Sequence, residues 1–409
     1  MSTHQIRVEM PLSPVKGTVD LPSSKSISNR ALVIRSLCKD SFTLSALSDA
    51  DDTTVLEKLL RQTGPVDDAG AGGTTFRFLL ALRAFQQHQG VITGTLRLQE
   101  RPVGILVDTL RDMGARMDYL QRDGYPPLQL NGGALCGGAY TLDGSVSSQF
   151  VSALMLIGPC LAGGLVLERS GRMVSSSYVE MTAALMRRFG VEVIINDRVI
   201  VVPEAAYVAK DYTVEADWSA AVFFYAMAAL LPGSSMLLNR LSLSDIQADA
   251  RLAVWMEEWG VRSVQEEGGV RISSSGIPDR EFEYDFLNNP DLAQAFAVMA
   301  AVSGKPVSIT GLSTLRDKET DRLMALKTEL SAAGAVVEIS DDSLAVSGSV
   351  KAECIAGHVF PSYHDHRMVM ALSLLACTGT PVLLQNPEHV SKSFPGYFEM
   401  LKKLKAKIS

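Results

Sequence analysis

The sequence predicts an α/β fold assembled from repeated units, and two series of helices carry that reading. In the first, an amphipathic helix is followed by a small residue and then a β-branched strand. In the second, each helix is apolar on nearly every side and opens on a polar segment.

The first series reads "LEKLLRQTG" to Gly64, "LVDTLRDMG" to Gly114, "MTAALMRRFG" to Gly190, "LAVWMEEWG" to Gly260 and "LKTELSAAG" to Gly334. A glycine there suits the residue just past a helix, where φ is often positive. "FEMLKKLKAKI" near the end reads as a sixth copy that has lost its glycine. The glycines are spaced by 50, 76, 70 and 74 residues, so one unit spans about 70 to 75 residues. The short first interval leaves only "PVDDA" between Gly64 and Gly70, where other units carry strands. The first unit is therefore expected to be trimmed by a strand pair.

The second series comprises "SSKSISNRALVIRSL", "GAGGTTFRFLLALRAF", "DGSVSSQFVSALMLIGPCL", "EADWSAAVFFYAMAALL", "NNPDLAQAFAVMAAV" and "HDHRMVMALSLLA". Helices apolar all round are buried, so their polar ends must emerge somewhere with unsatisfied N–H groups and the positive end of the helix dipole. Such ends suit anions. They carry Lys25, Ser26 and Arg30; Gly72, Gly73, Thr74, Thr75 and Arg77; Ser145, Ser147, Ser148 and Gln149; Glu215 and Asp217; Asp291; and Asp365, His366 and Arg367. Ordinary capping accounts for the serines taken singly. It does not account for the clustered cations. Further charge sits in "TLRDKETDRLMAL", with Lys318, Glu319 and Arg322, in "LQERPVG" with Arg101, and in "EHVSKSFPGYFEML" with Lys392. A solvated face is the plainer reading of the first of these.

At 409 residues the chain has room for two to three domains. A net charge of −7 argues against a nucleic-acid or anionic-membrane partner. Any anion site must be a local concentration of Lys and Arg. The five cysteines are scattered without C-x-x-C spacing, which argues against a zinc site or a disulfide framework. The first residues lack the features of a signal peptide, and no apolar run is long enough to span a bilayer. A soluble cytoplasmic protein is expected.

Seven stretches in order, "LPSSKSISNRAL", "RPVGILVDTLRDMGA", "GYPPLQLNGG", "GSVSSQFVSALM", "DKETDRL", "DHRMVMALSLLA" and "SKSFPGYFEML", resemble the signatures of the 5-enolpyruvylshikimate-3-phosphate synthases. The likeness covers essentially the whole chain. It implies the two-domain enolpyruvyl transferase fold, with three βαβαββ units in each domain. Residues 1–21 with 218–409 would form one domain and residues 22–217 the other, with the active site in the cleft between them. The implied reaction transfers the enolpyruvyl group of phosphoenolpyruvate to the 5-hydroxyl of shikimate-3-phosphate and releases phosphate. No metal or organic cofactor is implied, and the small-molecule substrates are the partners of what is expected to be a monomer.

Carried over by motif, Lys25, Ser26, Arg30, Ser147, Ser148, Gln149, Ser175, Tyr178, Asp291, Thr314 and Lys318 match contacts to shikimate-3-phosphate. Lys25, Gly73, Arg101, Gln149, Arg322, Arg367 and Lys392 match contacts to phosphoenolpyruvate. Asp291 and Glu319 match the two carboxylates of proton transfer, Asp291 toward the hydroxyl and Glu319, with Lys25, toward the methylene carbon. The chain departs from the family pattern at Ala71 and Thr314, where asparagine is usual, and at Phe78, where proline is usual. These changes bear on the phosphoenolpyruvate contact, on a shikimate-phosphate contact and on glyphosate sensitivity. Two alternatives compete with this reading. The sister transferase acting on UDP-N-acetylglucosamine expects Lys-Asn in the first motif and a loop cysteine, whereas this chain has Lys25-Ser26 and no comparable cysteine. A non-catalytic binding relative would tolerate loss of Asp291, Glu319 or the arginines, and all are present.

Overall fold

A computed structural model describes residues 4–62, 64–142, 147–169, 176–243 and 246–409. The chain forms two compact units, Met1–Pro22 with Glu215–Ser409, and Ser23–Val214. The described residues form six sheets, five of four strands and one of two. The predicted mixed α/β repeat is present.

All five four-stranded sheets share one plan: one parallel pairing, then two antiparallel pairings. In the unit Ser23–Val214 the strands Val66–Asp68 and Gln89–Thr93 pair in parallel. The buried helix Gly73–Phe85 lies between them in sequence, as a parallel connection requires. The amphipathic helix Gly104–Asp112 then leads to strands Met117–Tyr119 and Leu128–Asn131, which pair antiparallel with each other. This is one βαβαββ unit, and Gly138–Val202 forms another with the same pairings.

The first repeat keeps only a two-stranded sheet, Leu44–Ser45 parallel to Tyr212–Thr213. The trimming read from the short glycine interval is therefore real. "PVDDA" is not a remnant of that unit, because Val66–Asp68 pairs with Gln89–Thr93 in the next sheet.

The other unit repeats the plan three times. Its sheets incorporate the N-terminal strands: Gln5–Glu9 pairs with Val382–Gln385 and Lys407–Ile408, and Lys16–Asp20 pairs with Ser235–Asn239. Its core is built from the helices Trp218–Leu230 and Ala293–Ser303, each buried along almost its whole length. The short side chains of "AFAVMAA" let the helix packed on all sides approach its neighbours closely.

Gly114, Gly190, Gly260 and Gly334 all have positive φ, as the repeat predicted. Gly64 does not, because its helix ends at Arg61 and the glycine lies beyond the turn. In the sixth copy, where glycine is missing, Lys405 takes φ +71. The backbone demand survived the loss of the residue that meets it most easily.

Candidate active site

The polar helix ends form as anticipated at five of the six buried helices. Ser24, Gly72, Ser147, Asp217 and Asp365 occupy the N-cap positions. The remaining end differs: Asp291 lies in a single 3-10 turn, Pro290–Leu292, ahead of the helix Ala293–Ser303. Pro290 suits the start of that turn, since it lacks an N–H and has a preset φ.

In the unit Ser23–Val214, Lys25 opens its helix, and its Nζ lies 3.0 Å from Oδ2 of Asp52. The two side chains are 18% and 7% exposed, so the ion pair is shielded from bulk water. Arg30 is buried, and its hydrogen bonds among the described residues go to neutral groups: Nε donates to Thr182 Oγ1 at 2.7 Å, Nη1 to the Ser26 carbonyl at 2.8 Å, and Nη2 to the Tyr178 carbonyl at 3.1 Å and Ser152 Oγ at 3.3 Å. Burial pushes its pKa down to about 10. Arg30 thus ties together the backbones of Ser26 and Tyr178, two predicted substrate contacts. Its guanidinium also lies over the ring of Phe78, 5.2 Å from the centroid, which gives the unusual Phe78 a physical place.

Gln149 follows the cap Ser147, whose Oγ accepts its N–H at 3.3 Å. Arg77 Nη1 donates to Gln149 Oε1 at 2.9 Å and to the Gly73 carbonyl at 3.1 Å, while Nη2 donates to the Pro102 carbonyl at 3.3 Å. One buried guanidinium therefore joins three predicted positions, Gly73, Gln149 and the Arg101-Pro102 turn. A Cβ on Gly73 would stand 2.5 Å from Arg101 Nη1 and 2.6 Å from Arg77 Nη1. Glycine is required there for close approach. Nε of Arg101 is buried and has no hydrogen-bond partner among the described residues. A bound anion would meet that donor. Ser148 is buried at the start of the same helix as Gln149. Ser175 and Ser145 lie outside the described residues.

In the other unit, Arg322 is the first residue of the helix Arg322–Ala332 and is almost fully buried. Its guanidinium meets three carboxylates: Asp365 at 2.7 Å, Asp291 at 3.0 Å and Glu319 at 3.0 Å. Burial opposes its charge, but Asp365, Glu319 and Asp291 outweigh that and hold its pKa above the ordinary arginine value. Arg367 Nη2 pairs with Asp291 Oδ2 at 3.2 Å, and Lys392 Nζ with Glu319 Oε1 at 2.8 Å. Every predicted phosphoenolpyruvate cation of this unit therefore pairs with a carboxylate, and both predicted proton-transfer carboxylates lie inside that lattice. Cations and carboxylates alternate here, because a buried guanidinium needs a counter-charge. Lys318 follows the turn Ser313–Asp317 and is half-buried. In that turn Thr314 Oγ1 is buried with no hydrogen-bond partner among the described residues.

Sequence reasoning did not assign Asp52, Arg77 or Asp365 to the site, although the last two stand on the polar ends it singled out. Asp52 belongs to the acidic run "DADD" at a helix start, a pattern that ordinary dipole compensation explains equally well.

The six-unit plan is shared with solved transferase structures. The EPSP synthase of Acinetobacter baumannii superposes with a TM-score of 0.79 over 100% of both chains at 22% identity. The profile of the EPSP synthase (3-phosphoshikimate 1-carboxyvinyltransferase) family matches residues 10–68 and 63–401. The 3-phosphoshikimate 1-carboxyvinyltransferase of Bacteroides fragilis is 42% identical over 96% of each chain. That of Serratia proteamaculans is 36% identical over 96% of this chain and 97% of its own. This chain belongs to the EPSP synthase family.

Proposed function

We propose that this chain transfers the enolpyruvyl group of phosphoenolpyruvate to the 5-hydroxyl of shikimate-3-phosphate and releases phosphate, a step of aromatic biosynthesis. Family membership and near-full-length relatives support the reaction. The observation that supports extending it to individual residues is the Arg322 lattice, in which Asp291 and Glu319, read here as the proton-transfer carboxylates, pair with Arg322, Arg367 and Lys392.

The substrates bring two phosphates and two carboxylates, so like charges must be neutralised before they can meet. In this reading Ser26, Ser147, Ser148, Ser175, Tyr178, Thr314 and Lys318 hold shikimate-3-phosphate, and Arg30 fixes the Ser26 and Tyr178 backbones as well. Arg101, Arg322, Arg367 and Lys392 hold phosphoenolpyruvate, with Gly73 leaving room for it and Gln149 and Lys25 meeting both substrates. Planar guanidinium forks suit carboxylate and phosphate.

Asp291 takes the 5-hydroxyl proton as the oxygen attacks C2 of phosphoenolpyruvate. The methylene carbon gains a proton through Glu319, with Lys25, giving a tetrahedral intermediate. Loss of a methyl proton and cleavage of the C2–O bond then release phosphate and restore the double bond in the product. Proton transfer needs both reach and a suitable pKa. The reading extends to a monomer in the cytoplasm, the first part of which sedimentation would check. No helix among the described residues is long and apolar enough to cross a membrane.

Steady-state phosphate release with both substrates tests the reading. Release that requires both supports it, and folded protein with no release above background overturns it.

A further inference from the structure

Asp249 closes a ring of contacts around Asp291. It lies in the 3-10 turn Ala248–Arg251 and is buried. Its Oδ1 accepts Nδ2 of Asn289 at 2.9 Å, and its Oδ2 accepts the hydroxyl of Ser219 in a short hydrogen bond. Asn289 is the N-cap residue of the turn Pro290–Leu292, which carries Asp291. Ser219, in the helix Trp218–Leu230, offers its carbonyl to Arg367 Nη1 at 3.4 Å. Arg367 in turn donates Nη1 to the Asp291 carbonyl and pairs Nη2 with the Asp291 carboxylate, both at 3.2 Å. The path from Asp249 through Asn289 to Asp291, and back through Arg367 and Ser219, is continuous.

We propose that Asp249 is a positioning residue for the reaction, fixing the turn, the Arg367 fork and hence the carboxylate of Asp291. The proposal rests on the reading of Asp291 as the base. The charged groups facing Asp249 are Asp291 and Arg367; Ser219 and Asn289 complete its surroundings as neutral donors. Asp291 is faced in addition by Arg322. A neutral amide oxygen would accept hydrogen bonds here without the cost of burying a charge. Burial, and after it the charge of Asp291, raise the pKa of Asp249 above its ordinary value. By the same mutual repulsion Asp249 makes Asp291 a stronger base, and two such close carboxyls titrate as a pair.

The test compares Asp249→Asn, Asp249→Ala and Asp291→Asn with the unmodified protein. Asp249→Asn keeps the shape and removes the charge. Its acid limb of kcat/KM for shikimate-3-phosphate should move to lower pH by about half a unit. Asp249→Ala removes the ring and should lower kcat about tenfold, with KM for both substrates within about threefold. An acid limb that does not move in Asp249→Asn, or Asp249→Ala turnover within about twofold of normal, overturns the proposal. If Asp249→Ala does not fold, the Asp249→Asn profile decides alone. Asp291→Asn separates the two ideas. Unimpaired turnover in that variant overturns the base assignment, and the proposal with it. A collapse of turnover there, beside an unmoved Asp249→Asn limb, overturns only the role of Asp249.

Discussion

Arg322 Nε lies 2.7 Å from Oδ2 of Asp365, and the Asp365 side chain is wholly buried. The same carboxylate caps the helix His366–Ser373 by accepting the Arg367 N–H at 2.8 Å. It therefore anchors at once two arginines proposed to hold phosphoenolpyruvate, one through its side chain and the other through its backbone.

Asp365→Ala should therefore cost about 3 kcal/mol of stability, because it strips a buried guanidinium of one counter-charge and removes a cap. Urea denaturation would measure it. A loss below about 1 kcal/mol would show that Asp291 and Glu319 suffice to hold Arg322.

Lys25→Met should lower turnover about a thousandfold with the fold intact by circular dichroism. It also leaves Asp52 shielded without its cation. The double variant Lys25→Met/Asp52→Asn should recover stability and not activity. Near-normal rates in Lys25→Met would remove Lys25 from the chemistry.

Gly73→Ala forces both Arg77 and Arg101 away from their positions. The KM for phosphoenolpyruvate should rise about tenfold, with a smaller change in KM for shikimate-3-phosphate. Equal effects on both substrates in steady-state kinetics would contradict the assignment of this turn to phosphoenolpyruvate.

The turn that carries Lys392 also carries His389, whose Nδ1 lies 2.9 Å from Ser362 Oγ and whose Nε2 lies 3.3 Å from Nδ1 of His364. Burial and then the charge of His364 lower its pKa, and Lys392 acts the same way; Glu388 and Asp365 oppose them. With the folded-state pKa depressed, the folded protein binds fewer protons than the unfolded chain. The neutral ring's contribution is thus present above the ordinary histidine value and lost as pH falls through the depressed one. His389→Gln should flatten the fall in melting temperature between pH 7 and pH 5, and parallel curves would refute this.

The buried helices and four of the glycines were legible because each is a local pattern: periodicity for the helices, and a position just past a helix for the glycines. The trimmed first unit was legible as a missing interval. That Val66–Asp68 belongs to the following sheet was not, since strand partnership is settled by a neighbour more than twenty residues away. The family motifs supplied the ligand names. They did not show that Arg322 meets a carboxylate 43 residues along the chain, or that Lys25 meets one 27 residues along. Asp249, in "QADAR", carries no signal of its own. Its place follows only from the tertiary approach of Ser219 and Asn289.

The sheet pairings also order events during synthesis. Residues 23–214 are contiguous, so their sheets can close as soon as that stretch has left the ribosome. Strand Gln5–Glu9, which precedes that stretch, has its partners at Val382–Gln385 and Lys407–Ile408. It must wait with its hydrogen-bonding edges open until those residues are translated. A nascent chain halted before residue 382 would therefore hold residues 23–214 complete while strand Gln5–Glu9 still lacked both of its partners.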